Sequence, residues 1–371
     1  MYRYQYSMFE KEAIYIAGPE CFYTNGYDLL AAMRKKAEYH GFKVTLPNDN
    51  PLDMENEDLQ KRADSIFADL EKVMNETTVI IADLEAYRGA EADGGTVFEI
   101  GMAYAKGARC YGYTRDKRTL ATKNQGSALK DGIVYDEKGN IMPYHNLPFS
   151  PAVVGSTKII KGDFDDCLQL LMVDLEEEYK AWGLRKRQSA STEGAQLNKD
   201  RPLIYLATVD RYLPNAQAIY VRMKEICSDY GFDVVSPLDW APGVEEIETD
   251  NLYTRAANLL DNYQQHVRNC DMVVGDLNFF RGYEPSNDVS FECGMGFQLG
   301  KKLYGYMDDT RPLIERIPHY GPEHEYRDQS GSNVENFNYP ANLMFACCMD
   351  IIEGGFEEVI KKVAEDFKSK A

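Results

Sequence analysis

The stretch RGAEADGGTVFEIGMAYAKG, residues 88–107, is written a second time without a gap as RGYEPSNDVSFECGMGFQLG, residues 281–300. In both copies a polar loop runs into apolar residues at helical spacing. Each closes on a glycine, Gly107 or Gly300, the residue that most readily takes the left-handed backbone ending a helix. Working outward, further matches fall in the same order. Toward the N-terminus, IYIAG (14–18) resembles IYLAT (204–208), and HGFKVTLP (40–47) matches YGFDVVSP (230–237). Toward the C-terminus, RCYGYTRD (109–116) continues as KLYGYMDD (302–309). There HNLPF (145–149) also resembles ANLMF (341–345), and IIKGDFDD (159–166) resembles IIEGGFEE (351–358). Ordered matches over this length mark a duplicated domain rather than a solenoid repeat. The expected units are residues 12–183 and 201–371. Between them LRKRQSASTEGAQLNKD (184–200) is polar and poor in large apolar residues, and it reads as a linker.

Within one unit, short apolar runs alternate with helical patterns. AIYIAG (13–18), FKVTLP (42–47), TTVIIADL (77–84) and RCYGYT (109–114) read as buried strands, with STKIIKG (156–162) as a fifth. YDLLAAMRKKAEYHG (27–41), ADSIFADLEKVMNE (63–76), GTVFEIGMAYAKG (95–107) and the run 163–183 read as helices. This alternation predicts an α/β fold, a doubly wound parallel sheet in each unit. Ligands of such sheets bind beyond the carboxyl ends of the strands, here IAGP, IADLEAYRG and the loop running to Glu99.

Composition narrows the function. The chain has 371 residues with 41 Lys+Arg against 60 Asp+Glu, a net charge of −19. That balance argues against binding a nucleic-acid polymer or an anionic membrane surface, which need clustered cations. No apolar run approaches the ~18 residues of a membrane span, and MYRYQYSMFEKEAIYIAGPE lacks the pattern of a secretory signal; a cytoplasmic location is expected. The eight cysteines form no C-x-x-C pair and the five histidines are dispersed, so buried free thiols are expected, with no metal site and no disulfide framework.

The loop before the third helix carries the best candidates for chemistry. Asp93-Gly94-Gly95-Thr96 turns into that helix, and Glu99 lies near its start between Phe98 and Ile100. A carboxylate there is a candidate nucleophile. Thr96 and Glu99 also spell a capping box with Thr96 as N-cap. The second copy keeps Glu292 but has Val289 in place of Thr96, which weakens capping as the whole explanation. Asp83 ends the third strand and is matched by Asp276; ligand binding and loop capping both suit it. Asp69 on the second helix reads, by itself, as a solvent-facing residue. Asp93 is replaced by Ser286, Asp69 by Asn262, and Gly18-Pro19 by Thr208-Val209. Tyrosines at strands and loops, among them Tyr15, Tyr23, Tyr87, Tyr111 and Tyr113, could pack or could stack on a base.

IYIAGPECF, IFADLE, VIIADL and DGGTVFEIGMAYAKG together resemble the nucleoside 2-deoxyribosyltransferase family, over the whole first unit and in weakened form over the second. The resemblance implies flavodoxin-like domains in tandem, forming a pseudo-dimer, and transfer of a 2-deoxyribosyl group between nucleobases with retention. It implies Glu99 as nucleophile, Asp93 and Asp69 as acid or base-contacting carboxylates, and Gly18 and Pro19 as lining of the site. It further implies an Asn from a neighbouring subunit, carried here by Asn342 in Asn342-Leu343-Met344, with Asn146 as its partial echo. The expected partners are a deoxynucleoside and a free base. No cofactor and no metal is expected, and a homo-oligomer built on the pseudo-dimer is compatible with the resemblance. The first unit is expected to work and the second to complete it. Two alternatives stand beside this reading: a hydrolase of deoxynucleosides or their 5′-monophosphates, and a non-catalytic nucleotide sensor.

Overall fold

The computed structural model describes residues 9–47, 49, 53, 55–181 and 201–368. The expected linker 184–200 lies outside the described residues.

In the first unit, strands β1 (Ala13–Ala17), β2 (Lys43–Thr45), β3 (Val79–Asp83) and β4 (Arg109–Thr114) are joined by a later strand, β7 (Lys158–Lys161). They form an all-parallel sheet in the order β2-β1-β3-β4-β7. Every residue of β1 and β3 is buried, as expected for central strands covered on both faces by helices. Strands β8 (Leu203–Ala207), β9 (Asp233–Val235), β10 (Met272–Asp276), β11 (Lys302–Met307) and β12 (Asp350–Glu353) repeat the arrangement as β9-β8-β10-β11-β12. The predicted doubly wound tandem fold is present, with the strand order of flavodoxin-like domains. A small hairpin, β5 (Ala128–Lys130) with β6 (Ile133–Tyr135), was not foreseen. The second helix, Leu59–Glu76, begins earlier than the apolar periodicity suggested, because Asp58 caps it by accepting from Gln60 N at 3.0 Å.

The two units meet about a pseudo-twofold axis. The helix Gly94–Lys106 packs against its copy, Asn287–Gln298, at two matched glycines. A Cβ on Gly101 would stand 2.2 Å from the carbonyl oxygen of Phe291, and one on Gly294 would stand 2.0 Å from that of Phe98. Only glycine permits so close a crossing of backbones. Nearby, Gly89 and Gly282 bridge to each other, again a residue meeting its own copy.

The flanking arginines are exchanged across the axis. Arg88 donates from Nε to Asp328 at 2.8 Å, and its Nη1 lies 3.5 Å from Glu284. Arg281 pairs with Asp136 at 3.2 Å and with Glu91 at 3.0 Å. All six side chains are buried. Buried ion pairs add little net stability but penalise any register in which they are broken. One apolar cluster runs through both units, with Phe98, Phe291 and Phe345 at its centre, while each unit keeps a separate cluster on its outer sheet face. The units thus form an internal pseudo-dimer. In each, the loop after the fourth strand reaches across: Asn333 N donates to Phe22 O at 2.8 Å, and Ile141 N donates to Tyr212 O at 2.7 Å.

Candidate functional site

At the carboxyl end of the first sheet, a cavity of about 300 Å³ opens between the units. Its first-unit wall includes Tyr15, Gly18, Asp93, Gly95, Thr96 and Glu99; the second unit contributes Asn333, Glu335, Phe337, Asn342 and Met344. The crossing loop explains why both units line it.

Glu99 is buried, and Tyr15 Oη donates to its Oε1 at 2.7 Å. Burial pushes its carboxyl up to about 8, opposed by the Tyr15 hydroxyl and reinforced by Asp93. The capping box is corrected here. The helix begins at Gly94 and its N-cap is Asp93, whose Oδ2 accepts from Thr96 N at 2.6 Å and Thr96 Oγ1 at 2.7 Å. Thr96 is therefore inside the helix, and Glu99 is left to face Tyr15 and the cavity. Asp93 Oδ1 is buried with no hydrogen-bond partner among the described residues, and burial raises this carboxyl too.

Asn342 caps the short helix Leu343–Ala346, and its Oδ1 accepts from Met344 N at 2.9 Å. Because a backbone N–H only donates, this contact assigns the oxygen and leaves the NH2 for donation elsewhere. A Cβ on Gly95 would lie 2.9 Å from Asn342 Nδ2. Gly95 is thus the gap through which an amide of one unit reaches the other.

The remaining expected residues sit behind this wall or away from it. Gly18 lines the cavity; Pro19 is buried in the turn that follows. Asp69, expected to face solvent, is 2% exposed, because its face of the Leu59–Glu76 helix packs inward. It bears on Tyr15 through its charge and is not part of the lining. Asp83 accepts from Glu85 N at 2.8 Å, so it caps its loop. Burial and Glu20 push its carboxyl up to about 8. Asn146 is exposed and is not the counterpart of Asn342. That place is held by Ser150, at the N-cap position of the helix Pro151–Ser156 leading into β7, but its hydroxyl makes no capping bond, whereas Asn342 caps the helix before β12. The HNLPF match ran out of register because Pro151, not the Asn-Leu pair, fixes where that helix starts. Of the tyrosines considered for stacking, Tyr15 lines the cavity and is engaged with Glu99; Phe22, Tyr27 and Phe337 are the other rings there.

The second unit's equivalent site is closed. Arg211, in the turn after β8, holds Glu292 with two bonds of 2.7 Å, and both side chains are buried. Asp288 stands where the first unit has Gly95, accepting from Tyr212 Oη and from Ala152 N at 3.0 Å. Asn262 spends its amide on Ala241 N and Asp239 O. The sequence reading missed Arg211 and Glu335. Arg211 falls opposite Cys21 when the turns are aligned, and a cation gained in that turn was the available signal.

The sequence model of the nucleoside 2-deoxyribosyltransferase family matches residues 14–144 and again residues 204–344. An uncharacterized protein of Schizosaccharomyces pombe is 27% identical over 185 residues, 45% of this chain and 86% of that protein. Among solved structures, a 2-desoxiribosyltransferase from Leishmania mexicana is 28% identical over 44% of this chain and 97% of that chain, with a TM-score of 0.34.

Proposed function

We propose that this chain, which belongs to the nucleoside 2-deoxyribosyltransferase family through both of its units, transfers a 2-deoxyribosyl group between nucleobases at the cavity of its first unit. The observation that carries the proposal is the position of Glu99: buried, bonded by one oxygen to Tyr15, on the wall of a cavity that Asn342 of the other unit also lines.

In the first displacement a Glu99 oxygen bonds to C1′ as the C1′–N bond breaks. The bond's electron pair leaves with the base, which takes a proton from the Asp93 carboxyl. In the second, an incoming base bonds to C1′, Glu99 departs as carboxylate, and the base N–H proton returns to Asp93. Two inversions give retention. Tyr15 stabilises the ionised nucleophile by donation, and burial of Asp93 favours the protonated form that an acid needs. Asn342 orients the sugar through its NH2. Asp69 acts from behind, through the charge it places near Tyr15. Burial of Glu99 and Asp93 on a wall shared by two units limits the water that can reach C1′, which favours transfer over hydrolysis.

Among the described residues lining the cavity none is Lys or Arg. This supports an uncharged nucleoside over a 5′-monophosphate, whose dianion would meet carboxylates. The second unit is proposed as a partner rather than a second catalyst, since a glutamate paired twice with a buried arginine is a poor nucleophile. Supplying a 2′-deoxynucleoside with and without a second free base tests the reading. Exchange that needs the second base is expected; release of the first base regardless of acceptor would make the protein a hydrolase.

A further inference from the structure

Glu335 belongs to the second unit and takes no part in the transfer steps above. It lies in the segment that crosses over the first unit and lines the cavity beside Asp93 and Glu99. Its Oε1 accepts from Leu343 N at 3.3 Å. Its Oε2 is buried and has no hydrogen-bond partner among the described residues, as does Oδ1 of Asp93. Buried polar atoms in native folds are nearly always satisfied, so two orphan oxygens on one cavity, from opposite units, call for hydrogen-bond partners that a ligand brings. A carboxylate is acceptor-only, and an exocyclic amino group is the donor a nucleobase offers that its oxo counterpart lacks.

We infer that Glu335 is a specificity-determining residue that accepts a hydrogen bond from an exocyclic amino group of the base, and so favours amino-bearing bases over oxo-bearing ones. The inference rests on the reading of the cavity as a nucleoside site. The groups bearing on Glu335 are Asp93, Arg88, Cys21, Cys347 and Glu284. Burial, with Asp93 adding, pushes the Glu335 carboxyl up to about 7. Below that pH it can donate as well as accept, and its discrimination is weak; above it the group only accepts. Preference for amino-bearing bases therefore grows as pH rises.

The test is calorimetric binding of free adenine, hypoxanthine, cytosine and uracil to the full chain at pH 6 and pH 8, for wild type and Glu335→Gln. In wild type the amino-to-oxo affinity ratio rises about tenfold between the two pH values; in Glu335→Gln it stays flat, because the amide does not ionise. If the Gln variant fails to fold, Glu335→Asp takes its place and a rise unlike that of wild type is expected. A flat ratio in wild type, or the same rise in the variant, overturns the inference. No binding of any base to wild type overturns this inference and the nucleoside reading together. Glu335-dependent binding without base exchange supports the inference and overturns transfer alone.

Discussion

Asn342 of the second unit approaches Gly95 of the first so closely that a Cβ on the glycine would stand 2.9 Å from its Nδ2. The same position of the other copy carries Asp288, and there no amide crosses. That side-chain difference at one helix start, together with the Arg211–Glu292 pair, separates an open site from a filled one.

Gly95→Ala should act through Asn342 without unfolding the chain. The added methyl pushes the amide aside, and displacing a positioning group by about 1 Å can cost about 10²-fold in rate. A fall of that size in kcat/KM for base exchange, with Tm nearly unchanged, is the expected pair of results. Full activity would remove Asn342 from the account.

The pH profile reports on Glu99. The ionised carboxylate is the nucleophile, and burial holds its carboxyl at about 8, so kcat/KM climbs as pH rises toward that value. Tyr15→Phe removes the donation that favours the charged form. A hydrogen bond to a charged group contributes about 1.5–3 kcal/mol, and one pH unit corresponds to about 1.4 kcal/mol. The rising limb should therefore move to higher pH by about one unit or more. A limb that moves down, or stays, contradicts the assignment.

Arg211→Ala should destabilise the protein by about 3–5 kcal/mol, because it leaves Glu292 as an uncompensated charge in the core. Replacing both residues together with apolar ones of similar volume should restore most of the loss. Thermal unfolding of the single and double variants measures this directly. If the single variant is neutral, the pair is not what holds the second site shut.

Gly294→Val tests the crossing of the two helices. The new side chain meets backbone, the Phe98 carbonyl, which has no rotamer by which to yield; overpacking of this kind costs about 1–3 kcal/mol or more. Exchange should fall although Gly294 touches no substrate, because the first unit's Glu99 lies one residue from Phe98. Unchanged exchange and Tm would show that the units tolerate separation.

The duplication, both sheets and their helices were legible because buried parallel strands and amphipathic helices leave strong periodic signals. That Glu99 and Asp93 line the cavity was legible for a different reason: they sit at and just inside a helix start copied with selective changes, so the second copy acted as a control. What escaped was tertiary. Thr96 was misplaced as a cap because a capping box and an Asp cap three residues earlier read alike on paper. Asp69 looked exposed because helical spacing alone does not say which face packs inward. Glu335 escaped because nothing local in NVENFNYPANLM says that this segment folds over the other unit; tertiary contacts such as the bonds from Asn333 N to Phe22 O and from Arg88 to Asn333 O do.

The claim on which the rest depends is that Glu99 carries the sugar. Reaction with a 2-deoxy-2-fluoro nucleoside, followed by peptide mass mapping, tests it most directly, since the fluorine slows the second displacement and preserves the adduct. The account predicts one fluorosugar per chain, on the peptide containing Glu99 and absent in Glu99→Gln. An adduct on the peptide containing Glu292, or base exchange that persists in Glu99→Gln, would contradict it.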